Sequence, residues 1–169
     1  MNYAKINPTD IANGHGVRVS LFVSGCRRHC PGCHNPQAWD FIYGEPYTDE
    51  AANYIQECLE KEYIDGITIL GGEPFEPENI PGVADVLEIA VDSGKTIWIY
   101  TGYTLEDLKR RARYEREIWY ILSHADVLVD GPYIEAERDI TLKFRGSRNQ
   151  RIIDVQKSLK IGGIVLYEL

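Results

Sequence analysis

The chain has 169 residues, a length typical of one domain with a substantial hydrophobic core. Its 18 basic and 26 acidic residues give a formal net charge of −8, which argues against recognition of nucleic acid through the phosphates. No apolar run approaches the roughly 20 residues that span a bilayer, and the first residues lack the apolar core of a signal peptide. We therefore expect a cytoplasmic protein with no nucleic-acid or membrane partner.

The apolar pattern predicts strands and helices in alternation. The first strand, over 17–23, is β-branched and aromatic and leads directly into a cluster of cysteines. A helix over 48–62 is followed by a short buried strand over 66–70 that ends in Gly71-Gly72. The later elements are a helix over 80–92, a strand over 96–100, a helical stretch that Thr104 caps and that breaks before Ser123, a strand over 127–129, and extended segments at 152–155 and 164–167.

This alternation predicts βα units and a mainly parallel sheet in an α/β fold. The chain is too short for a complete eight-fold barrel of about 250 residues, so we expect one domain over 1–169 with a partial, open βα barrel. Ligands of parallel sheets gather at the carboxyl ends of the strands. The predicted strands end at the cysteine cluster, Gly71-Gly72, Thr101-Gly102 and Asp130-Gly131, so these segments are expected to share one edge.

Three cysteines in a C-x3-C-x2-C spacing are the strongest chemical signal. They are Cys26, Cys30 and Cys33. Three thiolates suit an iron–sulfur cluster that leaves one iron open for another ligand. The alternative is a zinc site completed by His29, His34 or Cys58, although zinc sites usually combine two short pairs of ligands and the second pair is missing. Cys58 lies on the apolar face of a predicted helix and is expected to be a buried, inert thiol.

The cysteine loop resembles the signature of the radical S-adenosylmethionine superfamily, and Gly71-Gly72-Glu73-Pro74 resembles its second motif. The resemblance implies a partial barrel of that type, a [4Fe–4S] cluster on the three cysteines, and S-adenosylmethionine on the open iron. One electron from the reduced cluster would cleave the sulfonium bond and give methionine and a 5′-deoxyadenosyl radical. The implied cofactor contacts are Gly32, Cys33, His34, Gly71, Gly72, Glu73 and Thr101.

One position departs from the superfamily pattern. The residue after the third cysteine is commonly aromatic and packs near the adenine, whereas here it is His34. A histidine can stack on a base or form a hydrogen bond to it, and both roles stay open.

Further motifs narrow the resemblance. They are Asn13-Gly14-x-Gly16, Pro31-Gly32-Cys33-x-Asn35-Pro36, and residues 98–103, 129–132 and 145–151. Together they are similar to the activases of anaerobic ribonucleoside-triphosphate reductase over nearly the whole chain. This implies a reductase partner that loses a hydrogen atom from a glycine and gains a glycyl radical, and a low-potential electron donor such as a flavodoxin or ferredoxin. An activase of another glycyl-radical enzyme and a non-catalytic zinc-binding module are the alternatives.

Two weaker features have alternative interpretations. Asp130 either faces the positive sulfonium or a bound cation, or it is a turn residue before Gly-Pro. Arg145, Arg148 and Arg151 crowd one segment of an acidic chain and suit carboxylates of the cofactor or the reductase. A solvated loop is the other interpretation of that segment.

Overall fold

The computed structural model describes residues 1–169 as an α/β protein with one seven-stranded sheet and five helices. The strands are β1 (Asn2–Asp10), β2 (Arg18–Val23), β3 (Glu45–Pro46), β4 (Gly66–Gly71), β5 (Thr96–Tyr100), β6 (Val127–Asp130) and β7 (Arg151–Asp154). The helices are α1 (Asp49–Leu59), α2 (Ile80–Asp92), α3 (Leu105–Ala112), α4 (Arg116–His124) and α5 (Val155–Ile161). None of these helices combines the length and apolar character that crossing a membrane requires.

The sheet is mixed, with the strand order β3-β1-β2-β4-β5-β6-β7. The four central strands β2, β4, β5 and β6 are parallel, while β1, β3 and β7 pair antiparallel at the two edges. The prediction of a mainly parallel sheet is therefore right for the centre and wrong for the edges. A short connection over residues 11–17 joins β1 to β2, and such a connection permits only antiparallel pairing.

All five helices contribute to one hydrophobic core of 26 buried residues between them and the sheet. Val19, Leu21 and Val23 of β2 are fully buried in it. A second, smaller cluster contains Trp98, Val127, Val129 and Ile152, with Phe144 and Tyr167 packed against it. The central strands β2, β4, β5 and β6 are neighbours in chain order and parallel to one another. Their carboxyl ends therefore meet at one edge of the sheet.

Most predicted elements are confirmed, including α2 over the predicted residues 80–92. Thr104 caps α3 in a capping box with Asp107, and the helical stretch breaks between Ala112 and Arg116. β1 and α5 were not predicted, and 164–167 contributes only a bridge between Leu166 and Ile153. β1 has mostly half-buried residues with no clean alternation, so its pattern carries little signal.

Candidate functional site

The cysteine loop follows β2 directly and closes onto a short 3-10 helix, Pro36–Trp39. The Gly25 N–H donates to the Ala38 carbonyl at 2.7 Å, and the Cys26 N–H donates to the Trp39 carbonyl at 3.2 Å. The three predicted ligands are all free and partly exposed: Cys26, Cys30 and Cys33. The fold therefore holds both ends of the loop while the thiols stay accessible.

A second segment lies against the middle of this loop. Gly32 has φ +76°, and a Cβ at this position would overlap the carboxylate of Glu135. The Tyr133 hydroxyl donates to Glu135 at 2.6 Å, and the Tyr133 ring lies 5.1 Å from that of His34. Sequence reasoning missed Tyr133 and Glu135, because they are a hundred positions downstream and belong to no recognisable motif. An aromatic partner for His34 is thus supplied by the protein itself.

The donors that the cysteine loop offers are three thiols. No group of three His, Cys, Asp or Glu side chains lies close enough to hold one metal ion. His29 stacks on Trp39 with ring centroids 4.2 Å apart, and Cys58 is buried on α1. Three thiols spread along one loop fit a [4Fe–4S] cluster, because each thiolate binds a different iron and the ligands need not converge on one point.

Burial raises the pKa of the Cys26 thiol, and the nearby carboxylates of Glu73 and Glu76 add to this effect. The N–H groups of Arg28 and His29 act in the opposite direction. The iron of a bound cluster would favour the thiolate form, because a metal ion stabilises the thiolate that coordinates it.

The end of β4 is joined to the cysteine loop through the backbone. The Gly72 N–H donates to the Val23 carbonyl at 2.7 Å, and the Glu73 N–H donates to the Gly25 carbonyl at 2.8 Å. A Cβ at Gly72 would come within 2.6 Å of the Gly25 oxygen, so only glycine permits this approach. The two predicted motifs thus adjoin each other.

The Glu73 side chain links β4 to β5. It is buried, and its carboxylate accepts hydrogen bonds from the Phe75 N–H at 2.9 Å, the Thr101 hydroxyl at 2.8 Å and the Gly102 N–H at 2.7 Å. Burial raises the pKa of Glu73, although these donors and Arg28 favour the charged form. The structure therefore brings Glu73 and Thr101 together, with both carboxylate oxygens bound to protein groups.

Asp130, at the end of β6, is buried in an ion pair. Its carboxylate accepts hydrogen bonds from the Leu105 N–H at 2.8 Å and from Arg151 at 2.6 and 2.9 Å. Arg151 also pairs with Glu106, while Arg145 donates to loop carbonyls. Asp130 and Arg151 therefore satisfy each other and fix the start of α3, rather than facing a ligand.

The chain is similar to known iron–sulfur and activating proteins along most of its length. The family described as "4Fe-4S single cluster domain" matches residues 12–153. The chain is 40% identical over 158 residues to the anaerobic ribonucleoside-triphosphate reductase-activating protein of Pasteurella multocida, which covers 90% of the chain and 96% of that protein. The protein of the same name from Escherichia coli K12 is 38% identical (89% and 96% covered), and that of Enterobacteria phage T4 is 37% identical (90% and 93%).

Proposed function

The chain belongs to the family of the anaerobic ribonucleoside-triphosphate reductase-activating proteins, and we propose on this premise that it activates such a reductase. It is an oxidoreductase that uses a [4Fe–4S] cluster and S-adenosylmethionine to generate a glycyl radical on its protein substrate. The observation that carries the proposal is similarity along nine tenths of the chain, together with three accessible thiols at the edge where four parallel strands end.

Cys26, Cys30 and Cys33 are the proposed cluster ligands. When bound, the cluster and S-adenosylmethionine supply the electron transfer and the hydrogen-atom abstraction from glycine. The chain's own residues hold and orient these groups. The loop that carries the thiols is anchored by Gly25 and Cys26 to the 3-10 helix and by Gly25 to Glu73, so the ligands stand on a fixed base.

We assign the cofactor contacts to the residues around that base: Gly32, Cys33, His34, Gly71, Gly72, Glu73 and Thr101. What supports this is their proximity, because Gly72 bonds to Val23 at the end of β2, and Glu73 bonds both to Gly25 of the loop and to Thr101. A Cβ at Gly71 would meet the backbone of Val23 and one at Gly72 the backbone of Gly25, so the two glycines let the end of β4 lie close to the cysteine loop. Glu73 and Thr101 contribute by fixing two strand ends relative to each other.

The fold assignment is a single domain over 1–169 with a partial βα barrel of the radical S-adenosylmethionine type. It is supported by the central strands, which follow chain order, and by the crossover helices that share one core. A doubly wound sheet would instead reverse its strand order and place helices on both faces. The edge strands β3 and β7 do not pair with each other, so the sheet does not close into a barrel. An open sheet suits a substrate that is itself a protein loop.

The partners follow from the chemistry. The reductase supplies the glycine, whose Cα has no side chain to hinder approach and whose radical is delocalised over the flanking amides. A low-potential donor such as a flavodoxin or ferredoxin supplies the electron. The cytoplasm is the proposed compartment, because clustered free thiols persist where disulfides are kept reduced.

Purification without oxygen tests the cofactor assignment. We expect a brown protein that contains iron and sulfide, with a reduced-cluster EPR signal that changes when S-adenosylmethionine is added. A colourless protein that contains zinc and no iron or sulfide would overturn the assignment in favour of a zinc-binding module. An EPR signal that ignores S-adenosylmethionine would contradict the cofactor, whatever the metal content.

A further inference from the structure

We propose that Arg28 is a positioning residue for the binding of S-adenosylmethionine. Its guanidinium holds the cysteine loop against the ends of β4 and β5 and thereby fixes the thiols relative to the strand-end residues. The inference rests on the proposed function and deepens it. Arg28 lies between the first two cysteines of the C-x3-C-x2-C spacing, at a position whose residue type the spacing does not specify.

The first contact of Arg28 is electrostatic. Its Nε lies 3.9 Å from an oxygen of Glu73, whose side chain is only 2% exposed. The other partners of that carboxylate, at Phe75, Thr101 and Gly102, are neutral donors. Arg28 is thus the only cation paired with a buried carboxylate that joins two strand ends, and an unpaired charge there would be costly.

The second contact places Arg28 against an aromatic ring. The Arg28 guanidinium lies 4.4 Å from the centroid of the Tyr103 ring, and that of Arg111 lies 5.0 Å from the same centroid. Arg111 belongs to α3 and also donates to the Phe75 carbonyl at 3.0 Å. The Tyr103 ring therefore contacts one guanidinium of the cysteine loop and one of the helix, and the planar group of arginine suits such contacts with an aromatic ring.

The backbone leaves room for this arrangement. A Cβ at Gly102 would overlap the aliphatic stem of Arg28. The Gly102 N–H donates to Glu73, so the same residue accepts the stem and contacts the carboxylate that the guanidinium faces. Arg28, Glu73 and Gly102 consequently form one connected contact between the loop that carries the thiols and the strand ends assigned to the cofactor.

Arg27 offers a matched control, because it has the same charge one position earlier. Its guanidinium pairs with Glu76 at 2.7 Å and Glu78 at 2.6 Å and lies 4.5 Å from the centroid of the Phe41 ring. Neither Glu76 nor Glu78 forms a side-chain hydrogen bond with Gly102 or Tyr103, the residues that Arg28 contacts at the end of β5. Its side chain is 58% exposed, compared with 30% for Arg28, and it pairs with one buried carboxylate (Glu76, 5% exposed) and one half-exposed carboxylate (Glu78, 48%).

The test compares Arg28→Gln, Arg28→Lys and Arg27→Gln in the reconstituted protein. For Arg28→Gln we expect native iron and sulfide content, a KM for S-adenosylmethionine raised about tenfold and a kcat within about twofold of native. Titration of the reduced-cluster EPR signal should show the same loss of affinity. Arg28→Lys keeps the charge without the planar group, so about a threefold rise in KM is expected. Arg27→Gln should leave the KM for S-adenosylmethionine within about twofold of native, because Glu76 and Glu78 do not bond to the strand ends assigned to the cofactor, even though the buried Glu76 loses its partner.

Hydrogen exchange of the cluster-free protein gives a readout that needs neither cofactor nor activity. Arg28→Gln should speed exchange at the Gly102 amide and in the cysteine loop, whereas Arg27→Gln should leave Gly102 unchanged. An unchanged KM in Arg28→Gln, an equal rise in Arg27→Gln, or unchanged exchange at Gly102 would each overturn the proposal. If the native protein binds no S-adenosylmethionine, the proposed function fails, and the exchange data still decide whether Arg28 holds the loop.

Discussion

A buried charged side chain lies at each end of the central strands, and the two side chains differ in their bonding partners. At the amino ends, all five N–H donors of Arg18 have acceptors: the Thr68 hydroxyl, the Thr96 hydroxyl and carbonyl, and the carbonyls of His15 and Ile67. At the carboxyl ends, Glu73 has neutral donors and one guanidinium 3.9 Å away, beside three partly exposed thiols. At the amino ends every donor of the buried arginine has a partner within the protein. At the carboxyl ends three thiols are free to bind a metal cluster.

A cavity at the amino ends does not mark the proposed cofactor site. A cavity of about 690 Å³ opens at the amino ends, where His15, Asp65, Trp98 and Asp126 are among its lining residues. Burial lowers the pKa of Arg18 there to about 10, opposed by Asp65 and Asp126, so it stays charged at neutral pH. The proposed reaction site is at the carboxyl ends because the three thiols lie there, and not in this cavity.

The largest expected effect is the loss of a thiol at the carboxyl ends. Replacement of Cys26, Cys30 or Cys33 by alanine should abolish cleavage of S-adenosylmethionine, because the cluster loses one of its three protein ligands. Cleavage is followed as the release of methionine by the anaerobic, reduced protein. Cys58→Ala, at a buried site on α1, is the control and should retain cleavage. Retained cleavage in Cys30→Ala would contradict the ligand assignment.

A large effect on stability is expected at the opposite end. Arg18→Met should lower the free energy of unfolding by about 3 kcal/mol, because it leaves the Thr68 hydroxyl and buried carbonyls without their donor. Urea denaturation measures the change. The iron content of the folded variant should equal that of the native protein. A loss below about 1 kcal/mol would show that Arg18 does not lock the amino ends.

Asp130 lies at the carboxyl edge of the sheet, and we expect it to contribute to stability but not to cofactor binding. Asp130→Asn should cost about 2 kcal/mol of unfolding free energy, since it weakens the buried pair with Arg151. Glu106→Gln removes a more exposed partner of the same arginine and should cost about 0.5 kcal/mol. The KM for S-adenosylmethionine should not change in either variant. A raised KM in Asp130→Asn with native stability would instead place Asp130 beside the cofactor.

The smallest effect is a pH dependence near the amino end of β2. Burial alone would raise the pKa of Asp10, but hydrogen bonds from Asn13, Ser20 and the Ala12 N–H outweigh it and hold the pKa below its ordinary value. A lowered pKa in the folded state stabilises the protein above the unfolded value of about 4, and this contribution is lost as the pH falls through the folded pKa.

Unfolding free energies measured from pH 7 down to pH 3 should therefore fall less steeply in Asp10→Asn than in the native protein. Identical acid limbs in the two proteins would show that Asp10 is not stabilised as a carboxylate. Cys58→Ala should keep the native slope, because it leaves the surroundings of Asp10 unchanged.

The sequence predicted the strand ends better than the sheet edges. β4, β5 and α2 were recognised because β-branched runs and a helical stripe end at glycines. β1 was missed because most of its residues are half-buried and no periodicity results. α5 was missed because it has only seven residues, too few for a clear period, and it depends on capping by Asp154.

The site shows the same division between local and long-range information. The sequence alone reveals local patterns. Two of these are the three cysteines within eight residues and the glycine pair after a strand. The placement of Arg28 against Glu73 and Tyr103, and of Glu135 against Gly32, depends on tertiary packing between distant segments. The sequence makes Asp130 and Arg151 candidate ligand-binding residues, but only the fold shows that they bind each other.

We propose that this protein generates a glycyl radical on anaerobic ribonucleoside-triphosphate reductase. The most direct measurement is EPR of the reductase after anaerobic incubation with the reduced protein and S-adenosylmethionine. An organic radical signal on the reductase is expected, dependent on both components and absent with Cys30→Ala. Consumption of S-adenosylmethionine with no radical signal on the reductase would contradict the claim.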